Sequence, residues 1–185
     1  NMKKMIAYSS ISHMGFVTLG FFLIFQLPIN VFSSDFLLDS IMSIQGSMFQ
    51  MVSHGFIAGA LFFCVGILYE RLHTKEISDF GGVANVMPIF SIFFLFFALG
   101  NTGLPGTSGF VGEFFIILAA FKVNFWVAFC AATTLILSAS YTLWLYKRVM
   151  FGSIKNNLVQ TLTDLSIYEK IVFLFLTLLV LFFGL

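Results

Sequence analysis

Glu113 lies in the run 110–121, where every other side chain is apolar or absent. An ionised carboxylate placed there must leave water at a cost of several kcal/mol. Such a group either serves as hydrogen-bonded glue between helices or carries protons. It follows Leu104-Pro105-Gly106-Thr107-Ser108-Gly109, and Gly112 is its neighbour. Pro105, Gly106, Gly109 and Gly112 supply the broken backbone that transporters place beside a binding site, which favours proton or ion transfer for the acid. Thr107 or Ser108 is placed to cap the helix that resumes.

Two imidazoles stand in other apolar runs. His54 is flanked by Ser53 and Gly55, and His13 follows Ser9, Ser10 and Ser12. Imidazole titrates near neutral pH and can pass a proton through its two nitrogens. For each, the competing reading is a neutral ring donating to a backbone carbonyl. Lys122 comes nine residues after Glu113, about 13 Å further along a helix, which argues against a direct ion pair. It is either a helix-end anchor or part of a water-linked relay. His73 sits in a charged loop and reads as solvated. Glu113, His13, His54 and Lys122 together can move protons, and no redox ligand set accompanies them.

The elements that must hold these groups are membrane helices. Charged residues are only 9% of the chain and hydrophobic ones 59%, which excludes an ordinary water-soluble domain. The net charge of +1, with no basic stripe, leaves no footprint for nucleic acid. Cys64 and Cys130 are isolated in different apolar runs, so neither a disulfide framework nor a metal site is expected. No phosphate-binding glycine loop or metal, haem or flavin motif appears. Residue 1 is Asn, and the first apolar run does not read as a signal peptide. The chain is therefore expected to be a processed product or the downstream part of something larger.

At about 20 residues per crossing, the pattern predicts an all-α membrane protein of about six spans: 5–26, 46–69, 86–103, 105–122, 124–147 and 167–185, with 149–166 as a loop. The runs lack the period-two alternation of a barrel. Trp126 and Trp144 are interfacial anchors of the fifth span. The last span reads as a plain lipid-facing helix, and 27–45 as a surface turn or short amphipathic helix. Six spans put Lys3, Lys4, Arg71, Lys75 and Lys122 on one side, and Lys147, Arg148, Lys155 and Lys170 on the other. On that count the charge balance sets no orientation.

Three stretches carry a family resemblance: Lys3-Lys4-Met5-Ile6-Ala7-Tyr8-Ser9-Ser10-Ile11-Ser12-His13-Met14-Gly15, then Met51 to Phe56 with Ala60 to Thr74, then Leu104 to Phe114. Together with a weaker match over Tyr141–Arg148, they resemble NADH–ubiquinone oxidoreductase chain 4, an antiporter-like subunit of complex I. The stretches are also similar to subunits of cation/proton exchangers. The resemblance implies the second of two inverted five-helix repeats over 1–148, containing a broken helix, followed by one C-terminal helix over 167–185. It implies Glu113 as a key proton-transfer group and His13 and His54 on a hydrated central axis. NAD, FMN, iron–sulfur clusters and ubiquinone would be bound elsewhere in the complex, none in this chain. Implied partners are the other membrane-arm subunits, including two neighbouring antiporter-like ones, membrane lipid, and a separate N-terminal half if the gene is split. The implied location is the mitochondrial inner membrane. The stretch 27–45 is longer than the family's usual connection and is expected to serve a lineage-specific contact. The rival functions are a free-standing cation/proton antiporter component and a purely structural fragment.

Overall fold

The computed structural model describes residues 1–26, 34–154 and 156–185. Among them the regular structure is helical: α1 (Met2–Leu23), α2 (Ser34–Leu72), a single turn α3 (Val83–Val86), α4 (Pro88–Asn101), α5 (Ser108–Val123), α6 (Phe125–Met150), a single turn α7 (Asn157–Gln160) and α8 (Ile167–Phe182). Part of the 27–45 connection lies outside the described residues. From Ser34 onward it is no surface turn, because the backbone runs as one helix to Leu72. Met2–Leu23, Ser40–Leu72 and Phe125–Met150 are each long and apolar enough to cross a membrane.

α4 and α5 are different. At 14 and 16 residues they reach about 21 and 24 Å, each short of a hydrocarbon core of about 30 Å. Their packing explains why. Along α2, Arg71 donates to Met87, Ile57 meets Gly100 and Gly109, Ser53 bonds Ser108, and Gln50 meets Gly112. Moving down α2 thus traverses α4 and then α5 in unbroken order. α6 repeats the pattern, with Tyr146 beside Ser91, Thr142 beside Asn101 and Leu135 beside Gly103. The spans expected at 86–103 and 105–122 are the two halves of one interrupted column. The described helices therefore build five columns.

The correction changes the charge count. One end of the bundle gathers the starts of α1, α4 and α8 and the ends of α2 and α6. Met2 N–H donates to the Lys75 carbonyl at 2.9 Å there, and Arg71 pairs with Glu169 at 2.9 Å. Lys3, Lys4, Arg71, Lys75, Lys147, Arg148 and Lys170 all lie at this end, Lys122 lies at the other, and Lys155 is outside the described residues. A five-column layout turns a balanced count into a one-sided one, and the positive-inside rule places the lysine-bearing end on the inner side.

Capping at that end is cooperative. Pro88 opens α4 without a side-chain cap of its own. The Asp164 carboxylate supplies one instead, accepting from the Ile89 and Phe90 N–H groups at 3.0 and 3.2 Å. Ser166 and Glu169 close a capping box on α8. α8 is not a plain lipid-facing helix. Phe173 is fully buried among Phe63, Phe90, Phe93 and Phe97, while Ile171, Phe175 and Phe182 remain exposed.

The five-column layout separates cleanly from a six-span one. Single cysteines at Ser78 and Asn124, in a chain with Cys64 and Cys130 replaced by Ala, should react with an impermeant maleimide from opposite sides of sealed vesicles. Six spans would put both on the same side.

Candidate proton-transfer site

The break between α4 and α5 spans Thr102–Thr107, with Gly103 and Gly106 at φ +73° and +89°, a backbone that glycine adopts without a steric penalty. Neither proposed cap is made. The Thr107 hydroxyl donates to the Leu104 carbonyl at 2.7 Å, stabilising the turn, and Ser108 pairs with Ser53 at 2.8 Å. With no side-chain cap at Thr107, the positive end of the α5 backbone stays directed at the site.

Glu113, 2% exposed, stands on the second turn of α5. His13, halfway along α1, places Nδ1 2.7 Å from Glu113 Oε1. Gln50 of α2 donates from Nε2 to the same oxygen at 3.0 Å. The His13 and His54 rings lie 5.2 Å apart, centre to centre. The structure thus brings together three of the four predicted groups. Lys122 is exposed at the far end of α5 and does not line this site.

Small residues make the approach possible. A Cβ on Gly112 would stand 2.8 Å from the Gln50 Cα, and one on Gly103 would stand 2.8 Å from Glu113 Oε2. Both are closer than side chains pack. Gly112 therefore lets α2 lie against α5 closely enough for Gln50 to reach the acid, and Gly103 lets the broken backbone fold over the carboxylate. Ser43 donates to the Gly20 carbonyl at 2.5 Å, which ties α1 to α2 about two turns further on.

Two nitrogens on Oε1 leave the other oxygen distinct. Glu113 Oε2, His13 Nε2 and Gln50 Oε1 are buried without a hydrogen-bond partner among the described residues. All three side chains border a cavity of about 10 Å³, with His54 and Asn101 on its wall. That volume suits about one water molecule. Chemically, a carboxyl and an imidazole in this contact can share a proton, and Oε2 and Nε2 are the atoms left unbonded. Pattern reading missed Gln50 and Asn101. The signal for Gln50 was its place one helical turn before His54, on the same face.

Residues 1–138 match the family described as "NADH:quinone oxidoreductase/Mrp antiporter, TM". The chain belongs to this family. It is 48% identical over 184 residues to NADH-quinone oxidoreductase subunit M of Rhodobacter capsulatus, a match covering 100% of this chain and 33% of that protein. It is 47% identical over 174 residues to NADH-ubiquinone oxidoreductase chain 4 of Marchantia polymorpha, covering 94% and 32%. Among solved structures, a chain of respiratory complex I from Thermus thermophilus with bound NADH aligns with a TM-score of 0.85 at 30% identity, covering 100% of this chain and 35% of that one. The chain thus spans about a third of the length of these relatives.

The geometry ties Gln50 to Glu113 energetically. A double-mutant cycle of Gln50→Leu and Glu113→Gln, read by thermal unfolding in detergent, should give a coupling of about 0.5–3 kcal/mol. Strict additivity would mean the two side chains do not share a hydrogen bond.

Proposed function

We propose that this chain is the C-terminal part of a proton-translocating membrane-arm subunit of respiratory complex I, with residues 1–148 in its second antiporter-like repeat; because α4 and α5 form one interrupted column, these residues supply four columns rather than the five expected for a whole repeat. The observation that carries the reading is the Glu113–His13 pair, buried at a helix break with both side chains bordering one small cavity. Family membership supports the assignment.

The chemistry follows from the pair. With one proton shared, carboxyl and imidazole are jointly neutral, which suits a buried place. Losing that proton leaves a net negative charge and gaining another leaves a net positive one, so either step is steered by charge moved nearby. His13 binds the acid through Nδ1 and exchanges through Nε2, with the His54 ring 5.2 Å from its own, centre to centre. Glu113 exchanges through Oε2. The driving charge displacement would originate in quinone reduction elsewhere in the complex. Lys122 would join through a water-linked relay at the outer end of α5. NAD, FMN, iron–sulfur clusters and ubiquinone would be handled by other subunits.

The partners would be the other membrane-arm subunits, including two antiporter-like neighbours, lipid, and the remaining part of the subunit, as a separate polypeptide if the gene is split. The location would be the mitochondrial inner membrane. The relatives named NADH-ubiquinone oxidoreductase chain 4 support that reading.

In the assembled complex, Glu113→Gln should slow proton translocation driven by NADH oxidation by at least about tenfold, as expected on losing one positioned proton-transfer group, while assembly is retained. An unchanged rate would leave this chain a structural role. Sodium or proton flux without NADH or quinone would point to an antiporter component.

A further inference from the structure

The lysine-bearing end of the bundle carries a second site, remote from Glu113 and independent of its chemistry. An open pocket of about 670 Å³ lies where the end of α6 meets the loop that follows α2, with Ser78, Trp144, Lys147, Arg148, Phe151 and Ser153 on its walls. Two loops pressed together shape it. A Cβ on Gly81 would stand 2.6 Å from the Ser153 carbonyl oxygen, so the segments lie backbone on backbone there.

The pocket is cationic. The Arg148 guanidinium stands 5.5 Å from the centre of the Trp144 ring, a cation–π contact that leaves its N–H groups for an acceptor. Four acids at this end are engaged elsewhere: Glu76 with Asn1, Asp79 with Thr74 and Ser78, Asp164 with the start of α4, and Glu169 with Arg71. Among the described residues no carboxylate pairs with Lys147 or Arg148. Two cations thus line one pocket without a counter-ion.

The surface that leads to it is apolar. Ile136, Leu137, Leu143 and Trp144 are exposed on α6, and at helical spacing the same face continues to Lys147, Arg148 and Phe151. Ser140, on that face, returns its hydroxyl to the Ile136 carbonyl at 2.8 Å. Trp144 marks the edge of the apolar layer, and the cations follow one turn later, about 5 Å further on, at the level of lipid phosphates. A soluble anion would use the cations and leave the stripe bare. A phospholipid uses both.

We propose that this pocket binds an anionic phospholipid of the inner leaflet, its phosphate on Lys147 and Arg148 and an acyl chain along the stripe from Trp144 to Ile136. Basic pockets on the inner side of a membrane protein suit such head groups. Arg148 offers a planar pair of donors to two phosphate oxygens, and Lys147 adds a point charge. A zwitterionic lipid carries its own cation beside the phosphate and gains less from the two side chains.

The test uses the assembled complex in lipid nanodiscs holding a trace of phosphatidylglycerol or phosphatidylcholine, each with the same photoreactive diazirine near the top of one acyl chain. Labelling of residues 143–153 is mapped by mass spectrometry. Phosphatidylglycerol should label this stretch several-fold more than phosphatidylcholine. Lys147→Gln and Arg148→Gln should each lower its labelling by about fivefold, with the phosphatidylcholine signal unchanged. Raising NaCl from about 0.05 to 0.5 M should erode the preference in the unaltered complex, and this comparison decides if either variant fails to assemble. Equal labelling by the two lipids would overturn the proposal. So would labelling by neither, which would mean that another subunit covers the pocket. Loss of the phosphatidylglycerol signal to inorganic phosphate at an ionic strength matched with NaCl would reassign the pocket to a free anion and equally overturn it.

Discussion

A carboxyl group at membrane depth needs partners, and the architecture around Glu113 follows from that need. Water is not available on every side, so donors must come from neighbouring helices. His13 arrives from α1 and Gln50 from α2, both on one oxygen. That arrangement requires three helices to meet more closely than bulky side chains allow. Gly112 and Gly103 meet the requirement at the points of closest approach. The interrupted backbone is part of the same solution, because a continuous helix could not fold Gly103 over the carboxylate.

The break also separates two kinds of packing. Towards the lysine-bearing end, α4 is held in an aromatic core with Phe90, Phe94, Phe97 and Phe173 fully or almost fully buried. Around the break the contacts turn polar and small, with Ser53 on Ser108 and Asn101 on Ser9 and Thr142. A rigid apolar half fixes where α4 ends. The polar half then has room for water-sized cavities and for side chains that exchange hydrogen bonds. Apolar packing and the buried polar site thus occupy successive lengths of one column.

Much of this was legible in the residues. Hydropathy and length located the helical stretches to within a few residues, except that α2 begins at Ser34 rather than near 46, and the isolation of Glu113, with Pro105, Gly106 and Gly109 just before it, pointed to the break. Tertiary relations were not legible. Two short apolar runs separated by Pro and Gly look alike whether the chain reverses or continues, and only the contacts with α2 and α6 show that it continues. The charge asymmetry was hidden by that ambiguity, since an extra crossing sends Lys147, Arg148 and Lys170 to the wrong side. Gln50 escaped notice because an uncharged amide in a helix carries no signal until its partner is known. Lys122 drew attention as a charge, yet one helical length separates it from the acid.

The central claim is that the hydrogen ion shared by Glu113 and His13 is sheltered but exchangeable. Infrared difference spectra of the assembled protein on transfer from H2O to D2O, with Glu113→Gln as the reference, test it most directly. The account predicts vibrational bands of this pair, absent from the reference, that shift within seconds of transfer. Bands of Glu113 that stay unshifted for hours would mean a sealed packing contact and would contradict it.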